Sequence, residues 1–178
     1  VMISFTINDA GGRMLTGQST RAFFSTIADL PVFSVGMNCA FGAEKLLPFV
    51  EELHKISPYY LSSHPNAGLP NELGEYDQEP AEMAGQIEKF LEKGIINIIG
   101  GCCGTEPKHI KEIAKKAAQY KPRVLPEKKN QTVFSGLDAF NLNEIDSYLK
   151  IGERTNVMGS RKFLRHIKNE EYQEALEI

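Results

Sequence analysis

Three cysteines, Cys39, Cys102 and Cys103, are the residues of this chain best suited to chemistry. Cys39 lies in Gly36-Met37-Asn38-Cys39-Ala40, and the vicinal pair lies in Gly100-Gly101-Cys102-Cys103-Gly104-Thr105. Each group follows an apolar, strand-like run. Soft thiolates favour zinc over magnesium or calcium, and catalytic zinc is held by three protein ligands with a fourth position open to water or substrate. Adjacent strand residues point to opposite faces, so Cys102 and Cys103 can share an ion only where strand gives way to irregular backbone. The neighbouring glycines supply that freedom. The plainer alternatives are that Cys39 is a small buried apolar side chain and that the pair is a redox couple. The pair lacks the two-residue spacer of a Cys-X-X-Cys motif. In a reducing compartment an odd number of cysteines grouped around glycines points to metal or catalysis rather than to a disulfide framework.

Other polar residues gather in the same kind of position. His64, in Ser63-His64-Pro65-Asn66-Ala67-Gly68, is a candidate fourth ligand or substrate contact, against the simpler role of a loop anchor bonded to local backbone. Asn66 is a weak ligand by softness but belongs to the right loop. Asp9, in Asn8-Asp9-Ala10-Gly11-Gly12, is a turn residue or a substrate contact. His54, His109 and His166 fall on predicted helices and are expected to be solvated.

The elements that must position these groups follow from the apolar pattern. Strand-length runs occur at residues 2–7, 32–37, 59–63 and 95–99, each followed by a helical pattern, at 19–27, 43–56, 79–93 and 107–120. Thr105 is the expected N-cap of the last helix, with Pro107 in its first turn. Runs that are apolar throughout suit a parallel sheet covered on its faces, so the fold class is α/β with a repeating βα unit. Two architectures accommodate it: an open doubly wound sheet, or part of a (β/α)8 barrel. In either, site residues collect beyond the carboxyl ends of the strands, where all four polar loops fall. A barrel needs eight units, and this chain has four.

Residues 121–146 change character, with Pro122, Pro126 and several lysines, and are expected to form a linker or an extended wrap. Beyond them residues 147–151 resemble a strand, 152–156 a polar loop, and 160–178 one helix, the first βα unit of a second domain. The domain plan is therefore 1–120, 121–146 and 147–178. Both ends look cut: the first residues lie inside a strand-like run, and the last stop within a helical pattern.

The 178 residues carry 20 basic and 23 acidic side chains, a net charge of −3, and 42% apolar content. That composition gives a core of ordinary size, and the interspersed charges argue against a nucleic-acid partner or a membrane surface. No apolar run approaches the roughly 20 residues that span a bilayer. A cytoplasmic protein is the expectation.

Taken together, the strings around Cys39, His64 and Cys102-Cys103 resemble the homocysteine S-methyltransferase family. Ile151-Gly152-Glu153-Arg154-Thr155-Asn156 is similar to the opening of the pterin-binding domain that follows in the cobalamin-dependent branch of that family. The resemblance implies the C-terminal half of a (β/α)8 TIM barrel at 1–120 and the first βα unit of a second, folate-binding barrel at 147–178. It implies zinc held by Cys39, Cys102 and Cys103, with the homocysteine sulfur in the open position and Asn66 there when substrate is absent. Glu153 and Asn156 would help hold 5-methyltetrahydrofolate, and cobalamin would be bound by another part of a longer chain. Alternatives are a methyltransferase using betaine or S-methylmethionine, and a structural zinc or interaction module. The isolated half barrel is expected to be inactive, because it exposes two sheet edges.

Overall fold

The computed structural model describes residues 1–128, 130–145, 148–149 and 156–178. They divide into two compact units, residues 1–143 and 144–178.

The first unit is built on a parallel sheet of β1 (Met2–Phe5), β2 (Ser34–Gly42), β3 (Tyr60–Asn66) and β4 (Ile98–Ile99), in the order β1-β2-β3-β4. Between and after the strands run α1 (Thr20–Ile27), α2 (Ala43–Ile56), α3 (Pro80–Glu92) and α4 (Pro107–Ala117). A doubly wound sheet reverses its strand order at a switch point, whereas this order runs on without reversal. Each helix packs on its sequence neighbour, α1 on α2, α2 on α3 and α3 on α4. Right-handed crossovers in sequential order put every helix on one face of the sheet, as in a barrel wall. The result is an α/β sheet-and-helix layer consistent with part of a TIM barrel.

Strand alternation sorts the side chains. Ile3, Phe5, Val35, Met37 and Leu61 fall on the helix side and join Leu46, Val50 and Leu53 of α2 and Met83, Ile87 and Phe90 of α3 in one core. Burying a side chain of this size contributes about 1.5–3 kcal/mol, so this layer is the main source of stability. The opposite face is small and polar: Ser4, Gly36 and Ser62 are in register across three strands. Gly36 is required there, because a Cβ would fall on the carbonyl and hydroxyl oxygens of Ser62.

Several expectations need correction. Only Ile98–Ile99 pair as a strand, since Ile95 and Ile96 are already buried in the turn after α3. The N-cap of α4 is Glu106, not Thr105; its side chain accepts from the His109 backbone N–H, and the His109 ring accepts from the Glu106 N–H. His109 and His166 are buried, at 3% and 7% exposure, rather than solvated, and His54 is half-buried. Residues 121–146 are not featureless. Arg123 is buried beneath the sheet, and β5 (Val133–Ser135) and β6 (Ala139–Asn141) form an antiparallel hairpin against α1. Ser135 Oγ donates to the Ala22 carbonyl at 2.6 Å, and the Arg13 guanidinium forks onto Asp138 at 3.0 and 3.2 Å.

In the second unit the single helix expected over 160–178 is two, α5 (Arg161–Lys168) and α6 (Tyr172–Leu176). Glu170 between them has φ 60°, a left-handed value that ends α5. His166 closes the break by bonding the Glu171 carboxylate at 2.7 Å. That bond, with a second from Asn169, holds the Glu171 carboxyl below its ordinary range. Most of the strand expected at 147–151 lies outside the described residues.

Candidate metal centre

The carboxyl ends of β2, β3 and β4 bring the three cysteines together. β2 pairs regularly with β3 as far as Asn38 opposite His64, and then its register shifts before Gly42 pairs with Asn66. In that irregular stretch Cys39 and Ala40 have φ of 56° and 61°. Left-handed backbone at a non-glycine residue costs on the order of 1–3 kcal/mol, and such strain concentrates at functional sites. Here it turns the Cys39 side chain out of the strand alternation toward the loop after β4.

That loop is laced to the end of β3 by main-chain bonds. Gly100 N–H donates to the Ser63 carbonyl at 3.1 Å, Cys102 N–H to the Pro65 carbonyl at 2.8 Å, and Ala67 N–H to the Cys103 carbonyl at 2.9 Å. The buried Asn66 side-chain oxygen accepts the Cys103 N–H at 3.2 Å. Both vicinal cysteines are therefore fixed by backbone, with their sulfurs left over. Gly104, at φ 74°, makes the turn out of the site, and the Tyr76 ring lies over it.

All three sulfurs lie within 4.8 Å of one another, and they form the one cluster of potential metal-ligating groups among the described residues. Cys102 and Cys103 Sγ are 3.9 Å apart. Sulfurs around a tetrahedral zinc at about 2.3 Å stand about 3.8 Å apart, so this edge already has the dimension of a metal site. Cys39 and Cys102 are joined as a disulfide, with Cα atoms 5.7 Å apart, and Cys103 is free. A disulfide needs two sulfurs, however, and this site collects three. The donor set fits zinc once the Cys39–Cys102 pair is reduced.

The remaining candidates take distinct positions. His64 is half-buried, with its ring against Gly100, and burial lowers its pKa, which favours the neutral imidazole. It lies outside the sulfur cluster. Asp9 is exposed and accepts the Arg13 N–H at 3.1 Å, as a turn residue does. Glu153 lies outside the described residues. Asn156, in the second unit, is exposed and accepts the Met158 N–H at 3.1 Å, capping a short 3-10 turn.

Three participants escaped the reading of the sequence. Asn38, beside Cys39, accepts the Ser4 hydroxyl at 2.6 Å and ties β1 to the site. Tyr76 packs its Cβ and ring on Gly104, next to Cys103; burial first, and then the neighbouring Cys103, raise its phenol above the ordinary range. His109 braces the start of α4. Its spacing from Glu106, three residues on, is a capping-box variant visible in the sequence, whereas Tyr76 leaves no such signal.

Comparison with known proteins agrees with this geometry. The sequence model described as homocysteine S-methyltransferase matches residues 1–117. A solved structure, the homocysteine methyltransferase MmuM from Escherichia coli in its oxidized form, is similar with a TM-score of 0.51 and 25% sequence identity. The match covers 64% of this chain and 35% of that one, so the chain spans about a third of its relative's length. The strained Cys39, the glycine-flanked cysteine pair and the sequential parallel sheet thus lie within a chain that belongs to the homocysteine S-methyltransferase family.

Proposed function

We propose that this chain supplies the zinc-binding half of a homocysteine S-methyltransferase barrel, in which the three cysteines hold the metal and the substrate sulfur completes its shell. The convergence of Cys39, Cys102 and Cys103 at the carboxyl ends of β2 and β4 carries this reading. A free alkyl thiol has a pKa near ~8.5 and is mostly protonated at neutral pH, although the thiolate is the nucleophile. Zinc bound here would supply the deprotonated form of the substrate thiol.

The protein's own groups prepare the site for that role. Backbone bonds from β3 fix Cys102 and Cys103 before any ion arrives, so little ordering remains to be done on binding. Asn66 is already engaged with the Cys103 N–H. As a neutral amide oxygen beside soft thiolates it would be a weak occupant of the open position, readily displaced by homocysteine. His64, whose burial favours the neutral imidazole, and Asn38, its register partner on β2, would offer polar contacts to the rest of the substrate without adding charge. Asp9 is the outermost candidate contact.

The methyl donor is assigned from the C-terminal segment. Glu153 and Asn156 would open a pterin-binding domain, making the parent protein a cobalamin-dependent methionine synthase recharged by 5-methyltetrahydrofolate, a cytoplasmic enzyme whose folate- and cobalamin-binding domains meet this half barrel. The half barrel alone would be inactive. A betaine- or S-methylmethionine-dependent enzyme would share the zinc site and lack the downstream domain. A structural zinc module would need a fourth protein ligand, and among the described residues the cluster contains three.

Metal analysis of reduced protein tests the centre. One zinc per chain is expected in the wild type and almost none in Cys102→Ala. Equal zinc in both would refute the site.

A further inference from the structure

Residues 69–78 form a loop across the cysteine turn, held in shape by its own bonds. The Asn71 side-chain oxygen accepts the Leu73 and Glu75 N–H groups at 2.9 Å each, and its amide donates to Asp77 at 2.9 Å. Pro70 and Tyr76 form an antiparallel bridge at its neck. Tyr76 packs so tightly on Gly104 that a Cβ there would strike the Tyr76 Cβ and ring. The loop therefore bears on the residue that follows Cys103.

His109 joins the loop to the cysteine turn at a second point. The imidazole is buried in the first turn of α4. Its Nδ1 accepts the Glu106 N–H at 3.1 Å, which places the ring proton on Nε2, and Nε2 donates to the Gln78 carbonyl at 2.9 Å. The contacts close a circuit: Gln78 to His109, His109 to Glu106, along the chain to Gly104, and through the Tyr76 ring back to Gln78.

The turn inside that circuit carries two of the three sulfurs. On the strand side it is fixed by the Cys102 N–H on the Pro65 carbonyl and by the Asn66 oxygen on the Cys103 N–H. Gly101 and Gly104 flank the pair, and the freedom they give the backbone has to be removed on the helix side as well. Capping α4 accounts for only half of what His109 does there. The Glu106 N–H bond belongs to the cap, whereas a helix start needs no contact with a carbonyl 31 positions earlier in the chain.

We propose that His109 is a positioning residue for the metal centre: by holding loop 69–78 on the turn of Cys102 and Cys103, it keeps the two thiolates at the spacing an ion needs and slows the ion's release. The proposal rests on the metal-centre reading above. Both ring nitrogens are taken by backbone, so His109 acts through the turn and not as a ligand.

The test separates the two ring nitrogens. In His109→Asn the side-chain oxygen takes the place of Nδ1 and still accepts the Glu106 N–H, but the side chain is too short to reach Gln78. In His109→Gln the amide nitrogen takes the place of Nε2 and keeps the Gln78 bond, while the Glu106 N–H loses its partner. Zinc release from the reduced, zinc-loaded protein is followed with excess chromogenic chelator, alongside the melting temperature of the metal-free protein. His109→Asn should release zinc roughly tenfold faster, the lower end of the effects of groups behind a metal ligand, and His109→Gln should stay within about twofold of wild type although it melts lower. Tyr76→Ala, which opens the other arm of the circuit, should also speed release, and combined with His109→Asn it should give less than the product of the two factors. Equal release from zinc-loaded wild type and His109→Asn overturns the proposal and leaves the metal centre intact. Rates that follow melting temperature across the variants, or that multiply independently in the double variant, also overturn it, because His109 would then matter only to the fold. A wild type that binds no zinc overturns both.

Discussion

The two ends of the four-stranded sheet treat their polar groups in opposite ways. At the amino end, the buried Arg123 places its guanidinium on the Tyr59, His54 and Ser57 carbonyls and on His54 Nδ1, at 2.6 to 3.1 Å. Its own backbone is taken up by Ile96 and the Asn97 side chain. Each guanidinium nitrogen of Arg123 ends on a protein acceptor. At the carboxyl end the backbone is equally well bonded, but the side chains that converge are three sulfurs, set on strained backbone at Cys39. One end ties its buried guanidinium to the protein itself, and the other gathers a donor set that could hold a metal ion. This is the division a barrel wall makes between stability and chemistry.

Substitutions at the two ends should therefore fail differently. The largest effect is expected for Cys103→Ala, which should lower zinc affinity by roughly a hundredfold or more, because changes even outside the ligand shell cost ten- to a hundredfold. A competition titration against a chromogenic chelator reads this directly, and the melting temperature of the metal-free protein should hardly move. Arg123→Ala should do the reverse. Leaving several buried acceptors unpaired should cost about 3–4 kcal/mol of stability, given the strength of hydrogen bonds to a charged group. Denaturant unfolding measures that loss, and zinc bound per folded molecule should stay the same. A fall in zinc affinity matching that of Cys103→Ala would break the distinction between the two ends.

Gly104→Ala sits between the two classes. A left-handed φ and the Tyr76 ring both oppose a Cβ, so a cost of about 1–3 kcal/mol is expected, together with displacement of the Tyr76 ring from the cysteine turn. Calorimetry gives the first effect, and a modest loss of zinc affinity in the chelator titration gives the second.

The smallest effect is a pH dependence at the amino end. Burial, and then the Arg123 charge, hold the His54 pKa below the ordinary histidine value of 6.5. The folded state thus prefers neutral His54, which accepts from Arg123 Nε. This contribution is fully present above the unfolded pKa and is lost as pH falls from there through the lowered folded value. The melting temperature should drop between pH 7 and pH 5 by less in His54→Asn than in the wild type. An identical pH dependence in the two proteins would remove His54 from the account.

The carboxyl end was far more readable from sequence than the amino end. Cysteines beside glycines after apolar runs carry their chemistry in their identities, and the four βα units follow from runs of Ile, Val and Leu with helical patterns between them. Arg123 was hidden, because Lys121-Pro122-Arg123-Val124 has the composition of a linker. Nothing local marks an arginine that will be buried by carbonyls more than 60 positions earlier. The same holds for His109, whose partner Gln78 is 31 positions away, and for Tyr76, isolated in a polar loop. The break between α5 and α6 was missed for a different reason: Glu170 favours helix intrinsically, and the His166–Glu171 contact overrides it.

The central claim is that the carboxyl end of this sheet holds zinc with three cysteines and leaves its fourth position to the substrate thiol. X-ray absorption at the zinc edge, recorded on reduced, zinc-loaded protein with and without homocysteine, tests it most directly. The account predicts three sulfur neighbours rising to four when homocysteine is added. A shell that is unchanged by homocysteine, or one already closed by four protein ligands, would contradict it.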